Sequence, residues 1–99
     1  MSAQLELCPV KLTELWKRNE DGNIIIISDA DFQLKTCVLN KLGSLVWEQI
    51  DGNKNVSQLV SEIKCQINND GITEEILTED IIKFLNSLHE KWFIRWKEN

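Results

Sequence analysis

FQLKTCVLNKLGSLVWEQIDG, residues 32–52, changes its hydrophobic period halfway along. Up to Leu39 the period is two. Phe32, Leu34, Thr36 and Val38 alternate with Gln33, Lys35, Cys37 and Leu39, the pattern of a strand whose side chains leave opposite faces in turn. Beyond Asn40 the apolar positions are Leu42, Leu45, Val46 and Ile50, with Trp47 on the flank, which is helical spacing. Asn40 offers a capping oxygen at the join, and Asp51-Gly52 ends the helix. Strands before this switch and helices after it predict an α+β domain.

Toward the N-terminus, Ile24 to Ile27 is β-branched at every position, which suits a central strand. Turn clusters bound it at Asn19–Asn23 and Ser28–Asp31. Val10 to Lys17 alternates, with Val10, Leu12 and Trp16 on one face, and predicts the first strand of a three-stranded antiparallel meander. Toward the C-terminus, Asn55 and Gln58 have capping-box spacing, and Val56, Leu59, Val60, Ile63 and Ile67 follow as one helical stripe that stops at Asn68-Asn69-Asp70-Gly71. Thr73 or Thr78 caps a third helix, with Glu79 and Asp80 near its positive end and Ile81, Phe84, Leu85 and Leu88 as its apolar stripe. Trp92 to Lys97 fits either a last strand or an ordered tail. Three strands cannot hide an apolar face alone, so the three helices must cover one side of the sheet. With no linker or repeat, residues 1–99 make a single domain, its core running from about residue 10 to about residue 94.

A domain of 99 residues buries only about 60–65% of its unfolded surface, which leaves little room for an enclosed active site. Eleven Lys and Arg against sixteen Asp and Glu give a formal charge of −5, and neither half of the chain is basic, so nucleic acid is a poor partner. Cys8, Cys37 and Cys65 are odd in number and widely spaced, which opposes a disulfide framework or a zinc site and suits reduced thiols in the cytoplasm. No apolar run is long enough to span a membrane. His89, beside Glu90 and Lys91, has no nucleophile tied to it, and Glu74, Glu75, Glu79 and Asp80 are explained by the helix dipole without a metal. The glycines form no phosphate-binding pattern. Trp16 and Trp47 lie next to apolar stripes and are expected in the core, whereas Trp92 and Trp96 divide evenly between core and interface. No catalytic residue, cofactor or metal is expected.

What remains is an edge. The third strand keeps one row of unpaired N–H and C=O groups, has no proline and carries only Lys35 as a charge, so it suits a peptide that adds itself as a strand. A proline at Lys35 is expected to remove a donor from that edge.

The element order, with LNKLGSLVWEQIDG, NVSQLVSEI and EDIIKFLNSLHEKWFI in sequence from about Val10 to Ile94, resembles the PqqD family. Asn55 stands where that family usually has threonine, and Trp92 where it often has glycine. The resemblance implies a RiPP recognition element. This is a winged-helix-like, non-catalytic domain that binds the leader of a ribosomally made precursor peptide and presents it to a modifying enzyme, most often a radical SAM enzyme. Carried onto matching positions, it implies that the leader pairs with Gln33, Leu34, Lys35, Thr36, Cys37 and Val38. The helix wall is then Ile81, Phe84, Leu85 and Leu88, and Lys35 and Lys83 face acidic leader residues. A winged-helix nucleic-acid binder is the alternative, but it needs a basic third helix, and here Lys83 and Lys91 are set against Glu74, Glu75, Glu79, Asp80 and Glu90. A small subunit whose site is completed in an assembly is a third reading.

Overall fold

Ile24–Ser28 is the middle strand of the larger sheet, as its run of isoleucines predicts. The computed structural model describes residues 5–28, 33–67 and 71–98. Its elements in chain order are β1 (Cys8–Lys11), β2 (Leu15–Arg18), β3 (Ile24–Ser28), β4 (Lys35–Val38), α1 (Lys41–Gln49), α2 (Val56–Ile67), α3 (Glu74–Glu90) and β5 (Ile94–Lys97). The fold is α+β, with β2-β3-β4 forming a three-stranded antiparallel sheet and three helices following it. The predicted turn after Ser28, Phe32 and the Asn68–Asp70 helix stop lie outside the described residues.

The single first strand predicted over Val10–Lys17 is instead two strands. β1 leaves the meander and pairs antiparallel with β5, Lys11 opposite Ile94 and Cys8 opposite Lys97. The break falls at Leu12–Glu14, where the Thr13 hydroxyl donates to the Ile27 carbonyl and accepts from the Leu15 amide. Trp92–Lys97 is thereby resolved as a strand following a turn.

Alternation divides β3 cleanly. Ile24, Ile26 and Ser28 are buried on the helix side, while Ile25 and Ile27 are half-buried on the other face. The core that covers the inner face draws Val46 and Trp47 from α1, Val56, Leu59, Val60 and Ile63 from α2, and Leu77, Ile81, Leu85 and Leu88 from α3. Trp47 is buried as expected, with the Lys11 ammonium 4.8 Å from its ring centroid. Trp16 is not. It is 47% exposed at the β2 edge, beneath the Arg18 guanidinium, which pairs with Glu48 of α1 and donates to the Gly22 carbonyl. A two-sided edge strand gives an indole nothing to bury against on its outer flank.

The caps follow the sequence closely. Asn40 Oδ1 accepts from the Gly43 amide. Asn55 and Gln58 make the reciprocal box, each side chain accepting from the other's amide at 2.8 Å. Thr73, rather than Thr78, caps α3, so Glu74 and Glu75 hold the first turn; the Thr78 hydroxyl donates back to the Glu74 carbonyl inside the helix.

α3 ends in a Schellman motif. The Trp92 amide donates to the His89 carbonyl and the Phe93 amide to the Leu88 carbonyl, with both Leu88 and Phe93 buried. The motif requires a left-handed residue, and Trp92 takes that place at φ 66° with 67% of its surface exposed. A side chain there costs about 1–2 kcal/mol, against about 0.4–1 kcal/mol that glycine loses through a freer unfolded chain. Trp92→Gly is therefore expected to stabilise the fold by about 0.5–1 kcal/mol and raise the melting temperature by a few degrees, which a calorimetric scan checks.

Candidate functional site

Hydrogen-bond phase decides which β4 groups reach outward. The Leu39 amide donates to the Ile24 carbonyl at 2.8 Å, so Ile24 and Leu39 are a hydrogen-bonded pair. In an antiparallel ladder these pairs recur every second residue. Ile26–Cys37 and Ser28–Lys35 therefore bond inward, and the backbone groups of Thr36 and Val38 point to the open edge. The opposite border agrees, since the Asn19 amide donates to the Asn23 carbonyl and puts Ile25 and Ile27 toward β2. The expectation that a proline at Lys35 strips the edge is corrected: the Lys35 amide belongs to the β3 ladder.

β4 pairs only with β3 among the described residues. β5 pairs with β1 instead. The side chains of β4 alternate about this edge. Lys35 and Cys37 share the inner face with Ser28 and Ile26, and Cys37 packs against the core. Thr36 and the exposed Val38 lie on the outer face with Ile25 and Ile27. Gln33 and Leu34 are exposed and precede the strand.

At the end of β4 the chain turns through Asn40 into α1, and a groove of about 340 Å³ opens between the start of α1 and the middle of α3. Leu42 and Gly43 border it from α1 and the half-buried Phe84 from α3, with the exposed Asp80 and Lys83 beside them, while Val46 and Ile81 lie beneath with no exposed surface. Of the helix residues expected at the site, Lys83 and Phe84 thus meet at this space, over the buried Ile81. Leu85 and Leu88 point behind them into the core and have essentially no exposed surface. Phe84 and Leu85 are neighbours about 100° apart on the helix, so one stripe supplies both the groove wall and the packing beneath it.

The α1 wall was not anticipated. Its signal was Gly43, a glycine in the first turn of α1 where alanine is the better helix former. The space explains it: a Cβ on Gly43 would sit 2.9 Å from Phe84 Cε1 and 3.1 Å from Asn40 Oδ1. The Phe84 ring lies on the helix backbone because no side chain intervenes.

Comparison with protein-family models matches residues 32–94 to coenzyme PQQ synthesis protein D, PqqD. The chain belongs to the PqqD family. The matched span begins just before β4 and ends at the start of β5, so it contains the open edge, the groove and all three helices. No curated protein and no solved structure matches the chain significantly. Membership of the PqqD family carries a general role as a peptide-binding accessory chaperone that works beside modifying enzymes, and the PqqD family is non-catalytic. No helix among the described residues is long and apolar enough to cross a membrane.

Proposed function

We propose that this PqqD-family domain binds the leader segment of a ribosomally synthesised precursor peptide as an added strand on β4 and presents it to a modifying enzyme of the radical SAM class. The observation that carries this reading is the edge of β4 at Thr36 and Val38, unpaired among the described residues while β5 pairs with β1, together with the groove at Leu42 and Phe84 that opens where the chain turns through Asn40 into α1. An extended peptide on this edge exchanges main-chain hydrogen bonds with Thr36 and Val38 and lowers side chains toward Leu42 and Phe84. Lys35, on the inner face, and Lys83, on the groove wall, are placed for acidic leader residues. Leu85 and Leu88 hold the wall from behind. The free thiols Cys8, Cys37 and Cys65 suit the cytoplasm, where such a peptide is made.

The magnitudes suit delivery. Two or three buried leader side chains contribute about 1.5–3 kcal/mol each and edge hydrogen bonds about 0.5–1.5 kcal/mol each, offset by about 2–5 kcal/mol or more for ordering the peptide. The sum covers a range that includes about −8 kcal/mol, a dissociation constant of about 1 μM. The test is titration of the isotopically labelled domain with the synthetic leader of the precursor encoded beside its gene. Saturable amide shifts are expected at Thr36, Val38 and Phe84. Their absence overturns the proposal.

A further inference from the structure

The Gly43–Phe84 contact does more than pack two helices. Phe84 is only half-buried, so its ring has one side on α1 and another side available to the groove. The ring can lie flat against α1 only while position 43 lacks a side chain, because a methyl group there would overlap Cε1 at 2.9 Å and Cζ at 3.2 Å. The overlap has one easy relief. Asn40 is held as the helix cap by its bond to the Gly43 amide, whereas the aromatic ring can swing away from α1 and into the groove. A side chain at position 43 therefore narrows the groove without touching β4.

We infer that Gly43 and Phe84 together form the size gauge of one side-chain seat, which receives a single uncharged apolar side chain from the bound peptide. The inference rests on the strand-addition reading above. The occupant's chemistry follows from the lining. Leu42 and the Phe84 ring are its apolar surfaces, over the fully buried Val46 and Ile81. The exposed Asp80 and Lys83 stand at the rim, where Lys83 can meet a leader carboxylate, whereas a charge lowered between Leu42 and Phe84 would lose its hydration. Asn40 is the residue common to the groove and the end of β4, so the occupant we assign is the peptide residue that lies past Val38.

The experiment uses the full chain, the synthetic leader of the precursor encoded beside its gene, and leader analogues in which each apolar residue in turn is shortened to alanine. Gly43→Ala is expected to weaken the intact leader about tenfold or more, the scale on which a pocket senses one or two methylene groups. For one analogue, the one shortened at the seated residue, Gly43→Ala causes no further loss. Phe84→Leu in the Gly43→Ala background recovers most of the affinity, because the smaller side chain vacates the contested space. Equal loss for every analogue, or unchanged affinity in a folded Gly43→Ala protein, overturns the inference. Should Gly43→Ala fail to fold, Phe84→Leu alone decides: it is expected to shift preference at that leader position from aliphatic toward aromatic, and no shift overturns the size gauge. The two readings separate cleanly. A leader that moves the Thr36 and Val38 amides but ignores Gly43→Ala removes only the seat, whereas a leader that does not bind the unaltered protein removes both.

Discussion

Leu85→Ala is expected to lower the melting temperature by at least about 8 °C while leaving leader affinity, measured well below the new midpoint, within about twofold. Leu85 has no exposed surface and lies with Ile81 and Leu88 in the core shared by all three helices. Removing its branched end costs about 2–5 kcal/mol through lost transfer energy and the cavity left behind. Against a total stability of about 5–15 kcal/mol, this is the largest single-site loss expected for a residue once placed at the peptide wall. Each kilocalorie shifts the midpoint by about 4–8 °C in a domain of this size. Phe84→Leu should show the opposite balance, a smaller change in melting and a clear change in binding, because that ring borders open space. Calorimetry and titration on the same two variants check the pair. A Leu85→Ala protein that melts normally yet loses the leader would mean that Leu85 reaches the groove.

The reason Leu85 and Phe84 had to be separated by structure is general to helices. Period 3.6 identifies an apolar stripe, but a stripe wide enough to include Ile81, Phe84, Leu85 and Leu88 spans both the buried line and its margin. The central β3, the caps at Asn40 and Asn55 and the α2 stripe were legible because each depends on residues a few positions apart. The division of Val10–Lys17 was not, since Val10, Leu12 and Trp16 keep one period-two face with Glu14 as a single exception, which a continuous strand tolerates. What splits it is partner choice: β1 pairs with β5, more than eighty residues along the chain, and no local pattern encodes that. Trp16 was misassigned for a related reason. Alternation put it on the inner face, where its neighbour Ile26 is buried, but not at an edge where that face runs out. Trp92 shows the converse. Its position beyond the last apolar turn of α3 marks a helix end, yet only the backbone reveals that an indole occupies a left-handed site that glycine would fill without strain.

Paired proline substitutions on β4 discriminate the open edge from the sheet interior, and they are expected to behave as opposites. Thr36→Pro removes an amide that points away from β3 and puts a ring where an incoming strand must lie. The β3 ladder keeps its bonds at Cys37 and Lys35, so melting should stay within a few degrees of the parent. Leader affinity should fall by about tenfold or more, from a lost edge hydrogen bond worth about 0.5–1.5 kcal/mol together with the clash. Lys35→Pro instead deletes the donor that faces Ser28. It leaves a carbonyl in the ladder without its partner, at a cost of about 1–3 kcal/mol in stability. Any loss of leader binding there should shrink once the unfolded fraction is allowed for. The one-residue offset between the two sites reverses the whole pattern because antiparallel strands alternate their bonding direction residue by residue. A leader that tolerates Thr36→Pro but not Lys35→Pro in folded protein would mean that β4 presents the other row of amides, and strand addition at Thr36 and Val38 would be excluded.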